Sequence, residues 1–465
     1  MAGSRQKMIP LGTRFSHMTD RRTQTILAHA DRRIPRYTSY PTAPHFSPSV
    51  SSATYRDWLG RLPAETRASV YLHVPFCRTL CWYCGCHTRA TQSFTPVARY
   101  LDMIEREMAL LADALPNRLP LAHVHWGGGS PSLVAPARFR TLMDRLDAYF
   151  DRADDAEVAV EVDPRTVDAD FVDAMADCGV TRVSMGVQTF DPAIQQAINR
   201  VQTYETVAAT ADLLRCAGIA GLNMDLLYGL PHQSVESAAD TARQLVGLAP
   251  DRVSVFGYAH VPHMMKHQRL IDESALPGPA DRLAQADANA ETLLAAGYVA
   301  IGLDHFARAD DSLAVAQRAG RLQRNFQGYT VDPADALFGL GASSIGALPQ
   351  GYVQNVADIR QWHAAVRDGH LPVARGVALT SDDRLRRDVI MRLMCDLAVD
   401  LDTVAAFHGM AAPAFDLDDL EAEGVICRDG NRISLAAPYR TLARIVAAAF
   451  DARLAASSAR HAIAV

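Results

Sequence analysis

The sequence predicts an α/β protein built on a parallel sheet, and three observations favour this fold class. Short apolar runs alternate with longer amphipathic stretches between about Val70 and Gly257, as expected of βαβ units. The amphipathic stretches, such as 97–114 and 135–150, have the periodicity of helices. Polar or glycine residues follow each apolar run. Periodicity alone leaves open whether the sheet is doubly wound or a full or partial barrel.

Six apolar runs are the predicted strands, at residues 70–74, 123–126, 158–162, 182–187, 222–229 and 252–256. The chemistry of parallel α/β sheets gathers at the carboxyl ends of the strands. The residues found there are, in chain order, Cys77, Gly127 to Gly129, Glu161 with Asp163, Gln188, Asp225 with Tyr228, and Tyr258 with His260. A purely structural sheet would not need a polar residue at every strand end, so we expect one functional mouth.

The stretch Tyr71–Cys86, YLHVPFCRTLCWYCGC, holds four of the eight cysteines. Clustered thiolates select zinc, Cu(I) or iron–sulfur clusters. A zinc site usually shows two separated ligand pairs, whereas here only Cys81 and Cys84 have a zinc-like gap. The C-x3-C-x2-C spacing of Cys77, Cys81 and Cys84 resembles the radical S-adenosylmethionine (SAM) signature, in which three thiolates bind a [4Fe-4S] cluster and the fourth iron stays open. Structural zinc and buried or disulfide-paired thiols remain the alternatives.

Composition narrows the classes of function. The chain has 465 residues, 49% hydrophobic residues and a net charge of −6, which predicts two or three domains and no bulk nucleic-acid binding. No apolar run has a length that would span a membrane. The stretch before Arg36 is basic without an apolar signal core, so we interpret it as a polar tail rather than a transit peptide. We expect a cytoplasmic protein.

The alternation of apolar runs and amphipathic stretches ends at about Pro279. Residues 280–296 are a predicted helix, and the segments from Gly302 and Arg324 look polar, aromatic and loop-like. From about Leu379 we expect a mostly helical domain, with a helix and a small hairpin turned at Asp429 that resemble a winged helix. The predicted domains are thus a tail at 1–35, a catalytic domain at 36–378 with its core at about 70–275, and a C-terminal domain at 379–465.

Three features at the strand ends are candidate ligand sites. The GGGSP run from Gly127 allows close approach of a ligand to the backbone, although a tight turn is the alternative. Glu161 has the position to accept hydrogen bonds from a ribose or an ammonium group, or is a solvated or capping acid. Asp225 lies inside an apolar strand, and buried acids are rare unless paired, so we favour a ligand role.

Four further residues are candidates, each with a structural alternative. Arg200 could anchor a carboxylate through its guanidinium fork or lie on the surface. Tyr71 and His73 alternate on the first strand and therefore face the same side, where the histidine could also be part of the core. Cys86 lies two residues beyond the last predicted ligand and is either functional or simply packed. Tyr71, His73 and Cys86 are the candidate catalytic residues.

Long motifs across the chain resemble those of the oxygen-independent coproporphyrinogen III oxidases (coproporphyrinogen dehydrogenases), radical SAM enzymes of haem biosynthesis. The matching segments are RYTSYPTA from Arg36, the cysteine stretch with Cys86, HWGGGSP from His125, EVDPR from Glu161, SMGVQ from Ser184, NR at Asn199, NMDLLYGLP from Asn223, SVFGYAH from Ser254, GLDHFAR from Gly302 and RNFQGYT from Arg324. The resemblance is close from about Arg36 to Ile390 and looser beyond. Ser130 stands where the family has threonine, and because a hydroxyl is kept we expect binding to be retained.

The resemblance implies a partial (β/α)6 radical SAM barrel with a mostly helical C-terminal domain, one [4Fe-4S] cluster and two SAM molecules. It assigns residues to these ligands as follows: Cys77, Cys81 and Cys84 to the cluster; Tyr71, Gly128, Glu161 and Ile345 to the cluster-bound SAM; Tyr83, Gly129, Ser130, Gln188, Arg200, Asp225 and Ala259 to the second SAM; and Phe326 and Gln327 to the surroundings of the adenosyl group.

The activity implied by the resemblance is oxidative decarboxylation of two propionates of coproporphyrinogen III to vinyl groups, giving protoporphyrinogen IX. A radical derived from SAM takes hydrogen from a propionate β-carbon, and loss of CO2 and one electron follows. The expected partners are this substrate and an unidentified electron donor and acceptor, without nucleic acid or membrane, and we expect a monomer. The alternatives are a haem-chaperone paralogue without decarboxylase activity and a non-enzymatic zinc-scaffolded protein.

Overall fold

The computed structural model describes residues 21–454 and has an α/β architecture around one large sheet. Its strands are β1 (Ala68–Val74), β2 (Phe76–Cys77), β3 (Arg89–Ala90), β4 (Pro120–Gly128), β5 (Asp151–Val162), β6 (Arg182–Gln188), β7 (Gly221–Tyr228), β8 (Arg252–Gly257), β9 (Val299–Ile301), β10 (His305–Ala307), β11 (Gln323–Asn325), β12 (Gly328–Thr330), β13 (Ala336–Leu340), β14 (Ile345–Leu348), β15 (Gly351–Asn355), β16 (Val373–Ala378), β17 (Ala398–Asp400), β18 (Ile426–Asp429) and β19 (Arg432–Leu435).

The α-helices alternate with the strands in the first half of the chain. They are α1 (Ser52–Gly60), α2 (Thr95–Ala112), α3 (Pro136–Tyr149), α4 (Ala169–Asp177), α5 (Pro192–Ala197), α6 (Tyr204–Cys216), α7 (Val235–Gly247), α8 (Pro279–Ala295), α9 (Ser312–Arg318), α10 (Ile359–Arg367), α11 (Ser381–Asp396), α12 (Leu401–His408), α13 (Asp418–Ala422) and α14 (Ala443–Ala448). Short 3-10 turns lie at Ala43–His45, Pro131–Leu133, Lys266–Leu270, Glu273–Ala275 and Ala437–Leu442. The three helices predicted from periodicity are α2, α3 and α8.

The six predicted strands are β1 and β4–β8, and they pair in parallel in the order β1-β4-β5-β6-β7-β8. This confirms the six βα units of a partial barrel. The sheet continues at both edges, because β13 forms a parallel pair with β1 and β10 forms an antiparallel pair with β8. Within residues 21–454 the sheet stays open between β16 and β9.

The segments from Gly302 and from Arg324, interpreted as loop-like, contain strands β10, β11 and β12, and β13 and β14 follow them. The strands are only three to five residues long, and glycines lie within or beside them. Such short strands are too brief to show an alternating pattern. Pairing with β1 and β8 stabilises β13 and β10, whereas β11 and β12 pair with each other. The loop interpretation was therefore wrong for these segments.

A layer of buried charges fills the amino-terminal end of the barrel. The carboxylate of Asp311 accepts a hydrogen bond from Arg252 Nε at 2.9 Å and lies 3.5 Å from Arg182 Nη2. Arg182 also donates from Nε to Glu157 at 3.2 Å. On the other side of the layer, Asp332 accepts a hydrogen bond from Ser69 at 2.5 Å. The layer thus pairs the buried Arg252 and the partly buried Arg182 with the carboxylates of Asp311 and Glu157.

The described part of the predicted tail is packed rather than free. Residues 21–28 are helical, and Ile26, Ala30 and Ile34 are buried in one apolar cluster with residues of α11 and α14. Only Ile26 lies within this helix, whereas Ala30 and Ile34 lie in the segment that follows it and contact the same cluster. Residues 1–20 of the predicted tail and 455–465 of the C-terminal domain lie outside the described residues.

The C-terminal part combines helices α11–α14 with the three-stranded sheet β17-β19-β18. A hairpin between β18 and β19 turns at Gly430 and Asn431, as the sequence predicts. The domain boundaries at 35/36 and 378/379 stay predictions. None of the helices between residues 21 and 454 has the length and apolar character needed to cross a bilayer.

Candidate active site

The cysteine loop follows β1 and β2 at the carboxyl end of the barrel and is fixed by side chains from distant elements. Asn199 donates from Nδ2 to the carbonyl of Leu80 at 3.0 Å, and His267 Nε2 lies 2.7 Å from the carbonyl of Cys84. The amide of Gln268 donates to the carbonyl of Tyr83 at 3.0 Å. Because these contacts bind the loop backbone, the conformation between the three predicted ligands does not depend on the thiols alone.

Two arginines lie beside the Cys81 thiol. Arg200 Nη1 is 3.5 Å and Arg165 Nη2 is 3.7 Å from Cys81 Sγ. Both arginines also contact Asp163, at 3.5 Å and 2.6 Å respectively. Although burial alone would raise the pKa of Asp163, the hydrogen bond from Arg165 and the charge of Arg200 hold that pKa below its usual value. The site therefore offers positive charge next to a sulfur ligand, which suits an anionic thiolate cluster.

Hydroxyl and amide donors contact the other two thiols. Thr88 Oγ1 lies 3.3 Å and Ser130 Oγ lies 3.6 Å from Cys77 Sγ. The backbone N–H of Cys86 donates to Cys84 Sγ at 3.4 Å, whereas the Cys86 side chain is exposed. Ser130, which replaces the threonine of the family motif, keeps its hydroxyl at the thiol.

Two hydrogen bonds and one ring contact link Glu161 to β1 across the barrel mouth. His125 Nε2 lies 3.0 Å from Glu161, whose other oxygen accepts the Gly128 N–H at 3.1 Å. The ring centres of His125 and Tyr71 lie 5.6 Å apart, and Tyr71 Oη lies 3.1 Å from His73 Nδ1. Although burial alone would raise the pKa of Glu161, the hydrogen bonds from His125 and Gly128 lower it. Glu161 is therefore held as a carboxylate.

The glycines after β4 make room that a side chain would fill. A Cβ on Gly128, where φ is +113°, would lie 2.6 Å from His73 Nδ1. A Cβ on Gly129 would lie 2.5 Å from the carbonyl of Phe76. Both contacts are shorter than real Cβ atoms make, so the close passage of this loop beside β1 and the cysteine loop requires glycine.

The remaining predicted residues fall into three groups, of which the first lies on β6 and β7. Gln188, at φ +69°, lies with Arg200 beside Gly186, whose carbonyl accepts Arg200 Nη2 at 2.6 Å. Asp225 accepts a hydrogen bond from Asn223 at 2.9 Å inside the barrel, where burial raises its pKa.

Phe326 and Ile345 pack in one small apolar cluster with Tyr352. This cluster adjoins β1, because Gly339 pairs with Tyr71 and a Cβ added to Gly339 would meet the backbone of Ile345. Gln327 follows β11, and its described hydrogen bond is a backbone contact with Asn325 at 2.9 Å. The structure therefore places Ile345 beside the β1–β13 pair and Phe326 against Tyr352, whereas no described contact links Gln327 to the thiols.

Ala259 lines a cavity of about 750 Å³ next to the barrel mouth, between the ends of β7 and β8, helix α8 and the two terminal segments. The cavity has apolar walls that include Phe256, Leu283 and Phe306. Seven arginines also line it: Arg22, Arg33, Arg36, Arg282, Arg324, Arg440 and Arg444.

Sequence reasoning missed several residues that the structure brings to the site. Arg165 was part of a matching motif, but its contact with Cys81 depends on the turn after β5. Gln268 and His267 lie more than 180 positions from the cysteine-loop residues whose backbone they hold. The arginines of the cavity come from four separate regions of the chain. No local pattern could have revealed these contacts, whereas His125 lay beside the glycine motif and could have been chosen.

The donor set suits a [4Fe-4S] cluster with one open iron. Three thiols lie on one backbone-anchored loop, with hydroxyl, amide and guanidinium donors around the sulfurs and a glycine cradle beside them. Among the described residues, no group of three or more His, Cys, Asp or Glu side chains is arranged to hold a single metal ion.

Comparison with known proteins agrees with this geometry. The model of the radical SAM superfamily matches residues 71–245. The chain is 51% identical to an oxygen-independent coproporphyrinogen III oxidase of Bradyrhizobium diazoefficiens, over 96% of this chain and all of the relative. It is 44% identical to the oxygen-independent coproporphyrinogen III oxidase of Paracoccus denitrificans, over 90% of this chain and 94% of that one.

A solved structure shows the same fold. Coproporphyrinogen III oxidase from Escherichia coli, described as a radical SAM enzyme, superposes with a TM-score of 0.85 at 37% identity. The match covers 91% of this chain and the whole of the solved chain. The similarity therefore extends through the C-terminal part and is not confined to the cysteine loop.

Proposed function

Because the chain belongs to the oxygen-independent coproporphyrinogen III oxidases of the radical SAM superfamily, we propose that it converts two propionates of coproporphyrinogen III to vinyl groups. The product is protoporphyrinogen IX, and the reaction is the oxygen-independent oxidation step of haem biosynthesis. The observation that carries the proposal is the backbone-anchored loop with Cys77, Cys81 and Cys84 at the mouth of a barrel whose whole length matches these enzymes.

Residues around the loop have distinct supporting tasks. Cys77, Cys81 and Cys84 hold the [4Fe-4S] cluster, and when bound the reduced cluster and SAM supply the one-electron chemistry that removes hydrogen from a substrate propionate. Arg165 and Arg200 place positive charge beside Cys81 Sγ.

Hydrogen bonds on β1 determine which nitrogen of His73 carries the proton and which group accepts from the Tyr71 hydroxyl. His73 Nε2 lies 3.0 Å from the carbonyl of His87, so that nitrogen carries the proton and donates. His73 Nδ1 is then the acceptor for the Tyr71 hydroxyl at 3.1 Å. Tyr71 and His73 are therefore held in one orientation, and Glu161 remains free to accept hydrogen bonds on its ligand side.

The count of two SAM molecules follows the resemblance to these enzymes, which assigns one set of residues to each molecule. Glu161, Gly128, Tyr71 and Ile345 lie on the β1 side of the mouth and suit the cluster-bound SAM. Gln188, Arg200 and Asp225 lie on the β6 and β7 side and suit the second SAM, together with Tyr83, Gly129, Ser130 and Ala259. Phe326 and Gln327 are proposed to lie near the adenosyl group.

The first experiment removes one cluster ligand. Wild-type protein, Cys81→Ala and the control Cys216→Ala, whose thiol is exposed at the end of α6, are reconstituted without oxygen and given SAM, reductant and coproporphyrinogen III. We expect wild type and Cys216→Ala to show cluster absorbance, 5′-deoxyadenosine and stepwise loss of two carboxyl groups by mass. Cys81→Ala should show none of these, and decarboxylation by that variant would contradict the proposal.

A second experiment counts bound SAM. Equilibrium dialysis of the reconstituted enzyme with labelled SAM should give two molecules per chain in wild type. Asp225→Ala should lose one of them, since the carboxylate lies on the side assigned to the second SAM. Asp191→Ala, a cap of α5, is the matched control. One SAM per wild-type chain would contradict the count while leaving the decarboxylation untouched.

A further inference from the structure

The cavity beside the barrel mouth carries an unbalanced charge. Three carboxylates, Asp287, Glu291 and Asp304, line it together with the seven arginines, which leaves an excess of four positive charges. Arg22 is already bound by Asp287 through two hydrogen bonds of 2.7 and 2.8 Å. Such an excess is notable in a chain whose net charge is −6. A confined cluster of cations of this kind attracts anions.

Arg282 shows the imbalance most directly. It projects from α8 into the cavity, and its Nε is buried with no hydrogen-bond partner among residues 21–454. None of the carboxylates in that range forms an ion pair with it; its guanidinium instead lies 5.6 Å from the centre of the Tyr228 ring. Burial lowers the pKa of Arg282, because the charged form is desolvated. A buried donor of this type costs free energy until an acceptor arrives.

Arg444 and Arg36 place further charge in the same cavity. Arg444 is buried on α14, and burial and the charge of Arg36 lower its pKa to about 10. The charge of Arg36 at the rim repels that of the buried Arg444, and an anion between them would relieve that repulsion. Arg36 is exposed at the rim, and the residues after it hold its backbone, since Tyr37 donates to Asp451 at 3.0 Å. The RYTSYP motif therefore fixes a cation at this rim.

The cavity is connected to the cysteine loop through one side chain. Ala259 lines the cavity, and its carbonyl accepts the Gln268 amide at 3.3 Å. The same amide donates to the carbonyl of Tyr83 within the cysteine loop. A ligand in the cavity thus lies next to the loop that holds the cluster.

We propose that this cavity binds the propionate carboxylates of the tetrapyrrole substrate, with Arg282, Arg444 and Arg36 as their partners. The inference rests on the proposed function and assigns its substrate site. A porphyrinogen carries an apolar macrocycle and four carboxylates, which match apolar walls and an excess of four positive charges. A volume of about 750 Å³ falls within the range of about 300–1,000 Å³ for small-molecule sites. Guanidinium forks bind carboxylates through paired hydrogen bonds.

The test measures porphyrin affinity rather than turnover. Reconstituted full-length protein is titrated, by fluorescence, with coproporphyrin III, a stable oxidised analogue with four propionates, and with mesoporphyrin IX, which has two. Wild type should bind coproporphyrin III at least about tenfold more tightly than mesoporphyrin IX, since each tenfold step needs only about 1.4 kcal/mol. Arg282→Gln should weaken coproporphyrin III binding at least tenfold and reduce the preference. Arg243→Gln, at an exposed site on α7, should change neither.

Arg36→Gln is the second variant, because an exposed rim residue can be replaced without disturbing the core. This variant should raise the KM for coproporphyrinogen III and leave the SAM affinity unchanged.

Unchanged coproporphyrin III affinity in both Arg282→Gln and Arg36→Gln would overturn the site. If wild type forms no vinyl groups while coproporphyrin III binding still depends on Arg282, the carboxylate site is supported and the oxidase assignment is overturned. If wild type forms vinyl groups while coproporphyrin III affinity is independent of Arg282 and Arg36, the oxidase assignment is supported and the carboxylate site is overturned.

Discussion

The two ends of the barrel both contain buried charge, but the partners of those charges differ. At the amino-terminal end, Arg252 and Asp311 have side chains that are 8% and 5% exposed and are joined at 2.9 Å. At the carboxyl-terminal end, Arg282 is partly exposed, but its Nε is buried and it forms no ion pair with a carboxylate of residues 21–454. The first arrangement pairs its charges within the protein, with only single atoms such as Arg182 Nη1 buried without a hydrogen-bond partner among the described residues, whereas the proposed ligand would complete the second.

This difference separates stabilising charges from binding charges. Removing one partner of a buried ion pair leaves the other charge desolvated and lowers stability strongly. Removing an unpaired buried cation takes away a desolvation cost and spares the fold, but it removes an anion site. Burial of charge alone therefore does not identify a functional site, and the absence of an internal partner is the more useful signal.

The largest effect is expected at the amino-terminal end. Asp311→Asn keeps the cap of α9, because asparagine also accepts the Leu313 N–H, but it removes the charge that faces Arg252 and Arg182. The free energy of unfolding should fall by about 3–5 kcal/mol in urea denaturation. Asp191→Asn, which keeps the cap of α5, is the control and should change little. Equal stabilities of the two variants would show that the charge layer contributes nothing.

An intermediate effect is expected where the mouth contacts the cluster loop. Arg200→Lys keeps the charge but loses the fork that reaches both Gly186 O and Cys81 Sγ. SAM cleavage should slow by about tenfold or more, since a hydrogen bond to a charged group contributes about 1.5–3 kcal/mol. The comparison is Arg243→Lys on the exposed face of α7. Wild-type cleavage by Arg200→Lys would remove this residue from the cofactor site.

The smallest effect is expected on the free energy of unfolding at low pH. Burial alone would raise the pKa of Glu157, but the charges of Arg182 and Arg252 lower it below the value of an unfolded chain. The stabilisation is therefore complete above the unfolded pKa of about 4.3 and is lost as the pH falls through the lower folded value. Glu157→Gln should flatten the decline in unfolding free energy below about pH 4. An unchanged acid slope would mean that Glu157 has the same pKa in both states.

Local patterns predicted the barrel core, because each of β1 and β4–β8 contains a short apolar run that is followed by a polar or glycine residue. The added strand β13 was missed, since its five residues acquire their place only by pairing with β1. The site divides in the same way. The thiols and glycines are contiguous in sequence, whereas Gln268 and Arg282 reach the mouth through tertiary folding. The burial of Ile26, Ala30 and Ile34 was not predicted, because the arginines around them in the sequence made this segment resemble a polar tail.

The comparison between the two ends is tested most directly by measuring two quantities in two variants. Urea denaturation and coproporphyrin III titration are applied to Asp311→Asn and Arg282→Gln alongside wild type. We predict that Asp311→Asn loses stability but retains wild-type porphyrin affinity under native conditions, whereas Arg282→Gln is at least as stable as wild type and binds coproporphyrin III at least about tenfold more weakly. Loss of stability in Arg282→Gln with unchanged affinity would contradict the division between stabilising and binding charges.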